Sequence, residues 1–204
     1  MNNLYKIEQD LIKEGYKYIA GCDEAGRGPM AGPLFAAAVI LPKGYYLEKL
    51  NDSKKLSAVI REKLYNILIE DAIEVSSALI DVDEIDFINV YQASKKAMII
   101  CLEKLNSKVD CVLSDAIFLD LPIKNISIIK GDQKSASIAA ASIIAKVERD
   151  RYMLKMDELY PEYGFARHKG YVTKFHLEML EKHGPSPIHR RSFSPVQRVL
   201  SYKY

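Results

Sequence analysis

Four carboxylates stand where the sequence suggests that chemistry is done. Asp23 and Glu24 interrupt an apolar stretch, Asp115 closes the segment DCVLSDA, and Asp132 ends the segment NISIIKGD. Carboxylates that share a partly buried pocket repel one another, and their pKa values rise unless cations compensate the charge. Hard oxygen ligands favour Mg²⁺ or Mn²⁺ over zinc. A pair of such ions about 4 Å apart suits phosphodiester hydrolysis, with one ion activating water and the other stabilising the leaving oxygen.

Each single acid also has an ordinary alternative role as a helix cap or a solvated surface charge. The adjacent pair is the strongest candidate because apolar sequence surrounds it. Asp110 precedes its predicted strand and Asp120 lies in a predicted loop, so both rank below Asp115. Asp150, in KVERDRY, is explained more simply by solvated charge pairs along a helix.

A glycine-rich turn, EAGRGPMAG, follows the first two acids. Gly26 and Gly28 permit backbone conformations closed to other residues and a close approach to a ligand. Main-chain groups of such a turn can contact a sugar-phosphate, and Arg27 adds a positive charge for a neighbouring phosphate. The pattern is not a dinucleotide-binding fingerprint, because Pro29 and Pro33 interrupt it and a strand follows. A plain tight turn is the alternative.

Apolar periodicity predicts the elements that must position these residues. We predict helices at 3–15, 57–71, 89–105, 135–153, 173–184 and 194–200, and strands at 16–23, 33–42, 72–81, 110–116 and 125–132. This order predicts an α/β sheet of about five strands, partly antiparallel because the first two strands follow each other over a short turn. Functional groups of open α/β sheets gather at strand ends, so the four acids can converge if their strands are neighbours.

Composition bounds the class of protein. The 204 residues are enough for one sizeable core, and no internal repeat or linker divides them, so we expect a single domain over 1–204. Lys plus Arg number 29 against 27 Asp plus Glu, a net charge of +2, so a basic surface must come from arrangement rather than excess. Three scattered cysteines favour reduced thiols over a disulfide framework. Without a predicted signal peptide or membrane span, we expect a cytoplasmic protein with no membrane partner.

Basic residues and histidines suggest a nucleic-acid groove. Candidates for phosphate contacts are Lys54, Lys55, Lys146, Lys169, and Arg190 with Arg191. Each alone is better explained as a solvated surface charge, but together they can line a groove. The four histidines raise a zinc alternative, which the lack of nearby cysteines disfavours. His168 and His189 fit better as hydrogen-bonding groups around the groove or within the C-terminal fold.

Taken together, the motifs resemble ribonuclease HII, the type 2 branch of the ribonuclease H family. DEAGRGPMAGP is similar to the first signature of that family. Later segments of the chain are similar to further signatures of the family and follow in the same order: DSKKLS, SDA, the GD that precedes SIAAASIIAKVERD, YGFARHKGY and HRRSF. The resemblance covers about residues 17–197, most of the chain.

The resemblance implies a fold, an activity and a metal site. The fold would be α/β and ribonuclease H-like, a five-stranded mixed sheet flanked by helices, with a C-terminal helical extension at about 160–204 that contributes to the substrate groove. The activity would be metal-dependent cleavage of the RNA strand of RNA–DNA hybrids and incision 5′ of single ribonucleotides embedded in duplex DNA. Products would carry 3′-hydroxyl and 5′-phosphate ends, and the role would be removal of misincorporated ribonucleotides and RNA primers. Asp23, Glu24, Asp115 and Asp132 would hold two Mg²⁺ or Mn²⁺ ions.

The resemblance also assigns substrate recognition. Gly26, Arg27 and Gly28 match the turn that recognises the ribose 2′-OH, and Tyr171, in HKGY, matches the tyrosine that stacks on the following deoxyribose. The 2′-OH alone marks RNA within a DNA backbone, and a site that hydrogen-bonds it rejects DNA strongly. We expect a monomer that binds hybrids and ribonucleotide-containing DNA; the sequence names no replication or repair partner. The alternatives are another ribonuclease H-like nuclease, such as a resolvase or transposase relative, and a non-catalytic hybrid binder, which the intact acids disfavour.

Overall fold

A computed structural model describes residues 4–202, with side chains described up to residue 201. The helices of this part are α1 (Lys6–Lys13), α2 (Ala58–Asp71), α3 (Val82–Ile88), α4 (Val90–Glu103), α5 (Ala136–Leu159), α6 (Phe165–His168), α7 (Lys174–His183) and α8 (Ser194–Tyr202). The strands are β1 (Ile19–Ala25), β2 (Leu34–Ile40), β3 (Glu74–Ile80), β4 (Cys111–Asp115) and β5 (Lys124–Ile128). Short 3₁₀ turns are formed by Ser53–Lys55, Gly131–Gln133 and Pro161–Tyr163.

The strands form one mixed, five-stranded sheet in the order β3-β2-β1-β4-β5, which confirms the predicted fold class. β1 runs antiparallel to β2, and β2 antiparallel to β3. β1 runs parallel to β4 with Cys22 opposite Ser114, and β4 runs parallel to β5. Because parallel strands end at the same edge of a sheet, the carboxyl ends of β1, β4 and β5 lie together.

Helices cover both faces of the central strands. Every residue of β2 is buried, as its unbroken apolar sequence predicts. Ala36 and Ala38 pack on the side of α4, whereas Ala37 and Val39 pack on the side of α5. The start of α5 lies directly on β1 at Gly21, where an added Cβ would stand 2.1 Å from the carbonyl carbon of Ser137. The small residues of β1 and α5 therefore let the helix approach the sheet closely.

The helix boundaries depart from the sequence prediction in three places. The helix predicted at 135–153 continues to Leu159, and the short helices α3 and α6 were not predicted. α3 is separated from α4 by Asn89, whose φ of 69° breaks the helix and whose Oδ1 accepts hydrogen bonds from the first turn of α4. Ser57 caps α2 as predicted, accepting from Ile60 N at 3.3 Å.

The C-terminal segment packs against the turn that follows β1. Met30 N donates to Gly170 O at 3.0 Å, Gly32 N to Ile188 O at 2.8 Å, and Arg190 N to Met30 O at 2.9 Å. This pairing fixes the loop before α7 beside the glycine turn of the first motif. The three cysteines are free and buried, and no described helix is long and apolar enough to cross a membrane.

Candidate active site

The four predicted acids lie at one edge of the sheet. Asp23 and Glu24 stand near the end of β1, and Asp115 is the last residue of β4. Because Cys22 pairs with Ser114 across parallel strands, Asp23 and Asp115 are neighbours in register. Asp132 lies in the 3₁₀ turn after β5, and the preceding residue ties this turn to β4 by donating its N–H to Asp115 Oδ1 at 2.7 Å.

Burial raises the pKa values of three of these carboxyls. Asp23 and Asp132 are each 3% exposed. Burial raises the pKa of Asp23 well above its ordinary value, and the charges of Glu24 and Asp115 raise it further. Burial likewise raises the pKa of Glu24 to about 7, although Arg27 opposes the rise. Burial raises the pKa of Asp132, helped by neighbouring acids. The edge of the sheet therefore carries more negative charge than its surroundings neutralise.

Two cations of the chain offset part of this charge. Arg27 Nη1 lies 3.5 Å from Glu24 Oε1, and Lys54 Nζ lies 3.8 Å from Asp132 Oδ2. Partial burial lowers the pKa of Lys54, but Asp132 and then Asp23 outweigh this and the pKa is raised overall. The other oxygen of Glu24, Oε2, is buried and has no hydrogen-bond partner among the described residues. Such an orphaned carboxylate oxygen is costly unless a cation or water meets it.

The donor set fits a hard divalent cation. All candidate ligands are carboxylate oxygens, which Mg²⁺ and Mn²⁺ prefer, and Glu24 Oε2 is an unused buried ligand atom. Among residues 4–202, no three His, Cys, Asp or Glu side chains already converge as a closed ligand shell. Neighbouring acids nevertheless raise the pKa values of Asp23 and Asp132.

A further buried acid, which the sequence reasoning missed, joins two of the turns. Asp52 is 4% exposed and caps the Ser53–Lys55 turn, accepting from Lys54 N at 2.9 Å. Its Oδ2 accepts from Gln133 Nε2 at 3.2 Å, and its charge raises the pKa of Asp132. Asp52 therefore holds the turn of Lys54 beside the turn of Asp132. The available signal was its position as an N-cap in NDSKK.

One pocket is lined by two of the four predicted acids, Glu24 and Asp115, together with the recognition turn and Tyr171, whereas Asp23 and Asp132 are not part of its lining. Its lining includes Glu24, Ala25, Gly26, Arg27, Gly28, Ser53, Lys54, Asp115, Ser142, Lys146 and Tyr171. The glycine turn needs its glycine at position 26, because φ is +105° there and an added Cβ would stand 2.3 Å from Arg149 Nε. A Cβ at Gly28 would lie 3.6 Å from Tyr171 Cε1, so the tyrosine ring stands against the turn. Tyr171 is 44% exposed and faces the pocket with part of its ring.

The interpretation of Arg190 as a phosphate contact is wrong. Its side chain is fully buried and donates to main-chain oxygens: Nη2 to Gly26 O at 2.6 Å, Nη1 to Arg27 O at 3.1 Å, and Nε to Gly32 O at 3.0 Å. Burial lowers the pKa of Arg190 to about 9, with the charge of Arg149 adding to the effect. Arg190 thus stabilises the glycine turn through main-chain hydrogen bonds, and its guanidinium is not accessible from the surface.

A second arginine, which the sequence reasoning did not single out, holds the same region. Arg149 is fully buried and donates to Pro33 O at 3.1 Å, Ala31 O at 3.1 Å and Lys169 O at 2.9 Å. It therefore joins the end of the glycine turn to the loop that carries Tyr171. Its place in KVERD, on an otherwise apolar helix face, was the only signal.

The four lysine candidates divide into two groups. Lys54 and Lys146 line the pocket, and Lys146 is paired with Asp150 while burial lowers its pKa. Lys55 is exposed and does not line the pocket. Lys169 also lies outside the pocket, where its Nζ donates to a main-chain oxygen of α6 at 2.7 Å.

The sheet order and its flanking helices define a protein of the ribonuclease H-like fold. The family model for ribonuclease HII matches residues 20–196, and the chain therefore belongs to the ribonuclease HII family. A ribonuclease HII of Enterococcus faecalis is 53% identical over 195 residues, which cover 96% of this chain and 76% of that protein.

Solved structures support the same assignment. Ribonuclease H2 from Pyrococcus horikoshii superimposes with a TM-score of 0.78 at 28% identity, covering 90% of this chain and 97% of its own. Ribonuclease HII from Archaeoglobus fulgidus was solved in a complex with PCNA. It superimposes with a TM-score of 0.75 at 26% identity, and the match covers 89% of this chain and 96% of that chain. The protein is therefore an endoribonuclease of the ribonuclease H type that acts on RNA–DNA hybrids, in a family that depends on divalent metal ions.

Proposed function

We propose that the protein cleaves the RNA strand of hybrids and also incises 5′ of single ribonucleotides embedded in duplex DNA. The observation that carries the proposal is the shared pocket, which Glu24 and Asp115 line together with the glycine turn and Tyr171. Asp23, Glu24, Asp115 and Asp132 would hold two Mg²⁺ or Mn²⁺ ions. When bound, the ions supply an activated water and stabilise the leaving oxygen, which yields 3′-hydroxyl and 5′-phosphate ends.

Recognition of RNA is assigned to the main chain of the turn. Gly26–Gly28 would hydrogen-bond the 2′-OH, because backbone groups read the sugar without any base preference. Tyr171, standing against Gly28, would stack on the deoxyribose that follows the ribonucleotide. A buried polar site built for a hydroxyl rejects a substrate that lacks it, since its own groups are then left unpaired.

Positive charges at the rim would hold the phosphates. Arg27 and Lys54 are the best placed, because both line the pocket and both already stand beside the acids. Lys146 lines the same pocket but is engaged with Asp150, so its phosphate contact would require that ion pair to open. We assign no phosphate contact to Arg190.

We further propose the cellular setting that follows from this activity. The protein would act as a monomer in the cytoplasm, as a single catalytic domain over 1–204 in which 160–204 extends the substrate groove. Its role would be the removal of misincorporated ribonucleotides and RNA primers. The pairing of the C-terminal segment with the glycine turn supports a groove shared by both parts of the chain.

A labelled DNA duplex with one central ribonucleotide tests the proposal. We expect a single nick on the 5′ side of the ribonucleotide in Mg²⁺ or Mn²⁺, with no cleavage of the all-DNA duplex. Failure to nick in either metal, or a nick on the 3′ side, contradicts the proposal. A four-way all-DNA junction identifies the resolvase alternative, and tight hybrid binding without turnover identifies the non-catalytic binder.

A further inference from the structure

Two buried histidines outside the acid pocket form a hydrogen-bonded relay that ends on the main chain of Tyr171. His176 Nδ1 lies 2.9 Å from Tyr171 O, and His176 Nε2 lies 3.0 Å from His189 Nε2. The relay begins at Ser186, whose N lies 3.0 Å from His189 Nδ1. His176 is fully buried and His189 is 2% exposed. The relay therefore joins the segment before Arg190 to the loop that lines the active site.

The partners fix the proton on every ring nitrogen of this relay. Ser186 N–H can only donate, so His189 Nδ1 accepts, and the hydrogen of this neutral ring lies on Nε2. Tyr171 O can only accept, so His176 carries its hydrogen on Nδ1 and accepts from His189 at Nε2. Burial lowers the pKa of His176 to about 4 and of His189 to about 3, in keeping with two neutral rings.

A third histidine holds the neighbouring residue of the same loop. Gly170 N donates to His168 Nδ1 at 3.2 Å, so His168 carries its hydrogen on Nε2 and donates to Tyr163 O at 2.8 Å. The ring of His168 stacks on that of His176 with centroids 4.2 Å apart. Every ring nitrogen of these three histidines thus has a hydrogen-bond partner, which explains their presence without zinc.

We propose that His176 is a positioning residue for Tyr171. By donating to Tyr171 O it fixes the peptide that follows the tyrosine, and so keeps the ring against Gly28 at the mouth of the pocket. His189 acts one step further back, because its Nε2 hydrogen sets the tautomer of His176. The proposal rests on the role of Tyr171 in the proposed function.

Two amide substitutions of His176 separate the positioning role from packing. An asparagine amide can replace the Nδ1 donor, whereas a glutamine amide reaches the position of Nε2 and leaves Tyr171 O without its donor. We expect His176→Gln to lower kcat/KM on the single-ribonucleotide duplex by about tenfold, the usual effect of losing one buried hydrogen bond. We expect His176→Asn to stay within about twofold of the wild type, since it keeps that bond.

A double-mutant cycle with Tyr171→Ala decides whether His176 acts through the tyrosine. If it does, His176→Gln has no further effect on incision once Tyr171 is alanine. Thermal melting of each variant confirms that it is folded. If His176→Gln does not fold, the same cycle uses His189→Asn, whose amide oxygen can still accept from Ser186 N but which removes the donor to His176.

The outcomes separate this inference from the proposed function. An equal loss of kcat/KM in His176→Asn and His176→Gln overturns the inference. An undiminished effect of His176→Gln in the Tyr171→Ala background overturns it as well. In both cases the proposed function stands as long as the wild type nicks the duplex. Wild-type activity in a folded His176→Gln also overturns the inference. A wild type that does not nick the single-ribonucleotide duplex overturns both.

Discussion

The buried carboxyl of Glu24 should make the metal-free protein less stable as the pH rises. Its side chain is 9% exposed, and its pKa is raised from 4.5 to about 7. Because the folded-state pKa is the higher one, stability is fully present below the unfolded value and is lost as pH rises through the folded value. This difference corresponds to about 3 kcal/mol, most of which is lost between about pH 5 and pH 8.

Replacing this carboxyl by an amide should remove that part of the pH dependence. Between about pH 5 and pH 8 in EDTA, we expect the free energy of unfolding of Glu24→Gln to fall by about 2 kcal/mol less than that of the wild type. Urea unfolding measures the effect as a difference of about 1 M in the change of midpoint. The control is Glu178→Gln, which alters a carboxylate whose side chain is 52% exposed.

The same experiment with excess Mg²⁺ tests the cause. Metal binding to the ionised carboxylate should reduce the pH dependence of the wild type and change that of Glu24→Gln much less. An identical pH dependence of wild type and Glu24→Gln in EDTA would refute the reasoning, because the charge of Glu24 would then cost nothing in the folded state.

The other predictions concern cleavage and folding. Asp23→Asn and Asp132→Asn should abolish cleavage while the proteins stay folded, because each removes a charged ligand oxygen; near-normal rates on hybrids would contradict the assignment. Tyr171→Ala should lower incision of the single-ribonucleotide duplex by about tenfold or more, and an unchanged rate would remove Tyr171 from the site. Arg190→Lys should lower the free energy of unfolding by about 3 kcal/mol, because one ammonium group cannot make the hydrogen bonds of the guanidinium to three carbonyls. The control is Arg191→Lys, at an exposed neighbour, which should change the free energy of unfolding by less than about 0.5 kcal/mol.

Sequence pattern was sufficient to predict the layers of the fold. The unbroken apolar run of β2 marks a strand buried on both faces, and the apolar stripe of α4 marks a helix. Acids that interrupt or end such runs are visible as anomalies, which is why Asp23 and Asp115 could be singled out. The short helix α3 was missed because its seven residues, about two turns, are too few to show a helical period.

Burial of charged residues could not be predicted in the same way. Arg190 and Arg191 are adjacent and chemically identical, yet one is fully buried and the other exposed. The difference is set by carbonyl groups of the glycine turn, which lies more than 150 residues away in the chain. The role of Asp52 depends partly on a distant residue as well, because the N-cap position is visible in the sequence but its bond with Gln133 is not.

The contact at Gly21 links the position of α5 to the edge of the sheet that carries Asp23. The same helix that rests on Gly21 carries Ser142, which hydrogen-bonds Asp23 and lies 2.9 Å from Ser53 through its hydroxyl. A methyl group at position 21 would wedge α5 away from the strand and displace Ser142 with it, since helices move as stiff rods. A substitution at Gly21, which does not line the pocket, should therefore still alter the surroundings of Asp23.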